Sequence, residues 1–259
     1  MSKWKFDLVG NKPKLNKPIF IEGLPGIGNV GKVVADFMID ELKAKKLYDI
    51  TSHTFPHSVF VNEENLVELP KVEIFYKKGK KNDFLFLVGD IQPTDEVSSY
   101  EFSEKILDLF EQFKGKEIIT LGGIGLADIP KKPKVYCTGN NKKIIERYKG
   151  PKVNEKLHGV VGPIVGVTGL LLGLGEQRKI DAVALLAETY AHPMYLGIKG
   201  AKEILDVLNK KFSLGIDIDK LEHEISDLEE EMIKRTKKME AISKQSKMKV
   251  KGTDMNYIG

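Results

Sequence analysis

The chain has 259 residues, 41% apolar and 30% charged, which suits one large α/β domain with an appendage and excludes disorder throughout. Its one cysteine, Cys137, excludes an intramolecular disulfide framework and fits a reducing, cytoplasmic setting. The net charge of +4 hides two opposed blocks: residues 217–231 hold eight acids against Lys220 alone, and residues 234–251 hold eight bases against Glu240 alone.

Residues 1–17 alternate charges, prolines and isolated apolar residues, so no targeting leader is expected. Residues 18–22, Pro-Ile-Phe-Ile-Glu, predict a short buried strand, and residues 28–42 the helix after it. Val33, Phe37 and Leu42 give that helix an apolar face against Asp40 and Glu41. Residues 50–55 and 58–61 read as extended, with Pro56 barring a helix between them. Residues 72–76 and 84–88 flank Lys-Gly-Lys-Lys-Asn at 78–82, a hairpin turn signal. Residues 96–113 carry Phe102, Ile106, Leu109, Phe110 and Phe113 at helical spacing. A strand at 117–121 runs into Gly122, Gly123 and Gly125, the start of a second glycine-rich turn. Further strands are expected at 135–138 and 182–187, and helices at 142–148 and 167–177. Strands alternating with helices at this pitch predict an α/β fold, its sheet largely parallel and covered on both faces.

The longest uncharged stretch, residues 159–175, carries six glycines and Pro163 and is short for a bilayer span, so no membrane role is expected. After Phe212 the texture changes. Ile218, Leu221, Ile225, Leu228, Met232, Met239 and Ile242 step by three and four, with Arg235 at the interrupted position. That seam predicts a C-terminal helix over 213–246, either a coiled coil that joins copies of the chain or a helix packed along the main domain. Acids first and bases last also complement the helix dipole. The expected organisation is an α/β domain over 1–212, this helix, and a mobile polar tail over 247–259.

The sharpest local feature is Gly23, Gly26, Gly28 and Gly31, placed after a predicted strand and opening a predicted helix. Gly26, Gly28 and Gly31 match a dinucleotide fingerprint, in which bare N–H groups at a helix N-terminus hold a pyrophosphate. Pro25 removes one such donor, and Asp49, near the spacing of the confirming acid, stands before the next strand rather than after it. The other reading is a tight turn whose glycines let the helix sit close to the sheet. Lys32 follows Gly31 without Walker spacing.

Asp90, Asp95 and Glu96 after one strand, and Glu188, Tyr190 and His192 after another, occupy positions where catalytic groups often sit, yet they assemble into no recognisable site. A helix start accounts for residues 94–96. His53 and His57 share no helical face because of Pro56, so no metal is expected. No nucleophile-elbow serine is present, and the basic stretch 131–152 has only Tyr136 and Tyr148 as interleaved rings, so neither catalysis nor nucleic-acid binding is expected.

Residues 22–31 (Glu-Gly-Leu-Pro-Gly-Ile-Gly-Asn-Val-Gly), residues 121–125 (Leu-Gly-Gly-Ile-Gly), the glycine run 159–175 and Ala-Glu-Thr at 187–189 resemble an archaeal member of the proteasome assembly chaperone family, over about residues 18–210. The resemblance implies an α/β/α sandwich of the phosphorylase/hydrolase-like type, no catalytic activity, no cofactor, homo-oligomerisation, and a partner in the α-ring subunits of the proteasome. It also implies docking through a C-terminal hydrophobic-tyrosine-any tripeptide. This chain departs from that pattern, with Asn256 before Tyr257 and two residues after it. Met255, Tyr257, Ile258 and Gly259 are therefore the candidate partner-binding residues, a ring and apolar bulk on a basic spacer. The leading expectation is a non-enzymatic, homo-oligomeric chaperone or adaptor in the cytoplasm. The alternative is a nucleotide-binding enzyme, ATP-grasp-like or dinucleotide-dependent, that uses the glycine turns as a phosphate crevice.

Overall fold

The computed structural model describes residues 4–62, 64–154, 156–157, 159, 162–193, 195–218 and 220. The chain opens with β1 (Trp4–Leu8) and β2 (Ile19–Gly23), and a single 3-10 turn, Ile27–Asn29, leads into α1 (Val30–Leu42). β3 (Lys45–Ser52) precedes a small hairpin of β4 (Phe60–Val61) and β5 (Val67–Glu68). Then come β6 (Val72–Lys77), β7 (Phe84–Gly89), α2 (Glu96–Gln112) and β8 (Glu117–Leu126). β9 (Val135–Gly139), α3 (Lys142–Tyr148) and β10 (Val153–Asn154) follow, and α4 (Val167–Gln177), β11 (Ala182–Tyr190) and α5 (Ile198–Phe212) close the described elements.

Unbroken apolar runs build the centre of the sheet. β2 and β7 are buried at every position, as strands covered on both faces must be. The strand order is β1-β3-β6-β7-β2-β8-β11-β9-β10. The four central strands β7, β2, β8 and β11 are parallel, and the flanks β1-β3-β6-β7 and β11-β9 are antiparallel. Alternate residues feed two separate cores. Phe20, Leu85, Leu87 and Ile118 pack with α2 and α4, while Ile19, Ile21, Phe86 and Ile119 pack with α1, α3 and α5. The result is an α/β/α sandwich whose parallel pairing lies in its middle, apart from the two-residue edge pair β9–β10.

Residues 1–17 hold a strand that their mixed composition conceals. β1 is an edge strand paired with β3, and its Trp4 is buried against Phe102 with ring centroids 4.7 Å apart. The extended segment expected from residue 50 starts at Lys45 instead, and Phe55 leaves it to pack edge-on against Trp4. α5 buries Ile198, Ala201, Ile204, Leu205, Leu208 and Phe212, a helical spacing present in the sequence. Asp95 caps α2 by accepting from Ser98 N at 2.9 Å. Asp95→Ala should lower stability by about 1 kcal/mol in urea denaturation, with the far-UV spectrum unchanged.

Beyond α5, Ile216 is buried and Ile218 is partly buried against the α1–α5 layer. Lys220 Nζ lies 3.5 Å from Glu41 Oε1 at the end of α1. The chain therefore leaves the described residues at the amino edge of the central strands. Leu221, Ile225, Leu228, Met232, Met239 and Ile242 of the heptad seam, and Met255, Tyr257, Ile258 and Gly259, lie outside the described residues. Among the described residues no helix is long and apolar enough to cross a membrane.

Candidate functional site

The central strands end together at one edge, where a crevice of about 910 Å³ opens between the start of α2, residues 162–166 and the start of α4. Open α/β sheets bind ligands at this position. The glycines that mark the edge are explained by close backbone approach. A Cβ on Gly23 would stand 2.5 Å from Ala35 Cβ, and one on Gly31 would stand 2.9 Å from the carbonyl carbon of Leu121. α1 is thereby seated directly on β2 and β8. Gly28 adopts φ +61°, a left-handed conformation that glycine enters freely, and a Cβ there would meet Thr189 Oγ1 at 2.6 Å. Gly26, by contrast, has open space around it and an extended φ of −157°.

Gly122, Gly123 and Gly125 do not form a turn. They continue β8 through Leu126, paired residue by residue with β11. Gly123 and Gly125 make room for the first glycine loop: a Cβ on Gly123 would lie 3.1 Å from the carbonyl carbon of Ile27, and one on Gly125 would lie 3.3 Å from Ile27 Cγ2. Of the run 159–175, Gly169, Gly173 and Gly175 lie within α4.

The dinucleotide reading fails on topology. It requires β2, α1 and the next strand to form a parallel βαβ unit, but β6 and β7 stand between β3 and β2. Asp49 sits within β3, 3.1 Å from Lys46 Nζ. The crevice lining holds Asp95 and Glu96 and no Lys, Arg or His among the described residues, a charge balance that repels a polyphosphate.

One ionisable group at this edge departs far from ordinary behaviour. Glu22, the penultimate residue of β2, is fully buried. Its Oε1 accepts from Leu24 N at 2.9 Å and its Oε2 from Thr168 Oγ1 at 3.2 Å. Burial dominates those bonds and pushes its pKa up to about 7. Its register neighbour on β8 is Thr120, whose buried Oγ1 has no hydrogen-bond partner among the described residues. At the opposite edge, the buried Glu117 accepts from Tyr148 Oη at 3.1 Å and pairs with Arg147 at 2.8 Å. The two buried acids thus differ in that only Glu117 has a cation. An acid interrupting the apolar run of residues 18–22 was the available sequence signal for Glu22.

The other sequence candidates are dispersed. Asp90 Oδ2 accepts from Lys71 N at 3.1 Å, and Glu188 accepts from Lys134 N at 3.0 Å and Tyr136 Oη at 3.1 Å. Tyr190 and His192 stack with centroids 5.5 Å apart. Cys137 is buried in β9. Among the described residues no three His, Cys, Asp or Glu side chains could hold a metal.

What distinguishes this edge most is apolar exposure. Eleven of the thirteen large apolar side chains that stand exposed among the described residues lie on it, six of them in the β4–β5 segment. Ile27, Tyr100 and Val165 line the crevice mouth, and Val97 stands exposed in the first turn of α2 beside it. Leu8 and Val9, the remaining two, lie toward the amino edge.

A family model described as the PAC2 family matches residues 20–235. The solved structure of PbaB from Pyrococcus furiosus, described as an archaeal proteasome activator, aligns with a TM-score of 0.81 and 35% identity, over 92% of this chain and 100% of that one. PbaA from the same organism, described as an archaeal homolog of proteasome-assembly chaperone, aligns with a TM-score of 0.73 over 97% of this chain and 99% of its own. At 22% identity that likeness speaks to the fold. An uncharacterized protein of Methanocaldococcus jannaschii is 28% identical over 247 residues, covering 95% of this chain and 93% of that protein.

Proposed function

The chain belongs to the PAC2 family, and on that premise we propose that it is a non-enzymatic chaperone or adaptor acting on the proteasome core particle. The observation that carries this reading is the 35% identity to an archaeal proteasome activator along that protein's whole length. In this reading the body is a rigid carrier in the cytoplasm, and residues 255–259 are its contact with the α-ring. Tyr257 and Ile258 supply an aromatic and an aliphatic anchor, and the basic run 247–251 is a solvated spacer. Several copies joined through Leu221, Ile225, Leu228, Met232, Met239 and Ile242 would present several tails at once, and effective concentration then lets a weak anchor suffice.

Surface plasmon resonance on immobilised α-rings tests the tail. Deleting residues 257–259 should weaken binding at least about 100-fold, as expected when the anchor of a multivalent contact is lost. The melting temperature should not move. Equal affinity for both forms would remove the tail from the contact. Calorimetric titration with ATP, NAD and FAD separates this reading from a nucleotide enzyme, for which tight binding to the crevice is required.

A further inference from the structure

We infer that the carboxyl edge of the sheet, led by the β4–β5 hairpin, is a two-fold contact face between copies of this chain. The hairpin leaves the edge after Ser52 and returns to it at Val72, whose register partners are Ile50 and Gly89. Its pairing, Phe60 with Glu68 and Val61 with Val67, sets Val59, Val61, Val67 and Leu69 on one face by the two-residue period of strands. All four are more than half exposed, from 52% to 73%. β4 and β5 pair only with each other among the described residues, and an isolated two-stranded hairpin is marginal in water. A cover for its apolar face is what such a hairpin lacks.

The area is what a stable dimer uses. The exposed apolar side chains of the hairpin amount to on the order of 600 Å², and those around the crevice mouth bring the edge to about 1,000 Å², above the roughly 300–600 Å² of an ordinary monomer's largest patch and enough for the ~800 Å² per partner of a standard interface.

Charge favours a second copy. The β3–β7 half of the edge carries exposed Glu64, Asp90, Asp95 and Glu96, with Lys71 beside them paired to Glu68, and the β8–β9 half carries exposed Lys131, Lys132 and Lys134, with Asp128 beside them. A two-fold axis through the crevice lays the acidic half of one copy on the lysine half of the other, as an isologous interface requires. The same arrangement points both amino edges away from the contact. It is compatible with a separate seam at 221–242 and does not depend on proteasome binding.

Light scattering on the full-length chain at micromolar concentration tests the inference without any proteasome present. With the heptad seam disabled by Leu228→Lys and Met232→Lys, the protein should remain a dimer of twice 29.1 kDa. Adding Val61→Asp and Leu69→Asp should raise its dissociation constant at least about 100-fold and leave a monomer, because the new charges are buried unpaired in the contact. Both positions are exposed in one copy, so the far-UV spectrum should stay unchanged. A monomer before the hairpin changes, or a dimer after them, would overturn the inference. In the seam-disabled background, Lys131→Glu with Lys132→Glu should weaken the dimer, and adding Glu64→Lys with Glu96→Lys should restore it. Absence of that rescue would overturn the two-fold arrangement.

Discussion

Gly31→Val is expected to abolish the folded state, or to cost at least about 3 kcal/mol where any folded protein is recovered. The side chain would start 2.9 Å from the carbonyl carbon of Leu121 and 3.2 Å from its Cβ. That neighbour is main chain at the centre of a nine-stranded sheet, flanked by β2 and β11, and has nowhere to move. α1 would have to lift, uncovering Val30, Val34, Ala35 and Met38, all fully buried. Against a total stability of about 5–15 kcal/mol the loss is decisive. Gly26→Ala is the control: nothing lies within 4 Å of its Cβ and its φ is extended, so the change should fall within about 0.5 kcal/mol. Urea denaturation followed by circular dichroism ranks the two. A phosphate cradle would behave differently, since a Gly31→Val protein that melted normally but had lost a nucleotide would overturn the packing account.

The elements most legible in the sequence are those whose signal is local. α3 and α4 follow from the spacing of residues 142–148 and 167–177, and the strands around residues 78–82 from their apolar runs and turn residues. What escaped is set by distant partners. Glycines at 122, 123 and 125 read as a turn because a turn is the commonest local use of glycine. Here Gly123 and Gly125 answer to Ile27, nearly a hundred residues earlier, and Gly122 to Leu186 on the neighbouring strand. The neighbours of β2 in the sheet are likewise invisible in its own residues, so a glycine pattern matching a dinucleotide loop came without the βαβ unit that would give it meaning. The residues at 58–61 read as extended, but a sequence records apolarity and not cover. That this face is left open emerges only when the two cores are filled without it.

The pH dependence of stability should carry the mark of Glu22. In the unfolded chain its carboxyl titrates near 4.5, and in the fold burial raises that to about 7. The folded state therefore holds the proton more tightly. Below the unfolded value both states are protonated and the group makes no difference. As pH rises toward 7 the unfolded state loses its proton while the folded state must keep it, so stability falls. Above 7 the carboxylate sits buried with Leu24 N and Thr168 Oγ1 as donors and no paired cation among the described residues. The penalty is then constant, at about 3 kcal/mol for a shift of this size. Glu22→Gln keeps an oxygen acceptor for Leu24 N and never ionises. Relative to the wild type it should gain about 2.5 kcal/mol of stability between about pH 5 and about pH 8, measured by urea denaturation of both proteins at each pH. Taking the difference between the two proteins cancels every other titrating group. Parallel profiles would mean that the Glu22 carboxyl reaches water through the crevice beside Thr168. A variant that loses ground as pH rises would mean that the carboxylate, not the acid, is the form the fold is built around.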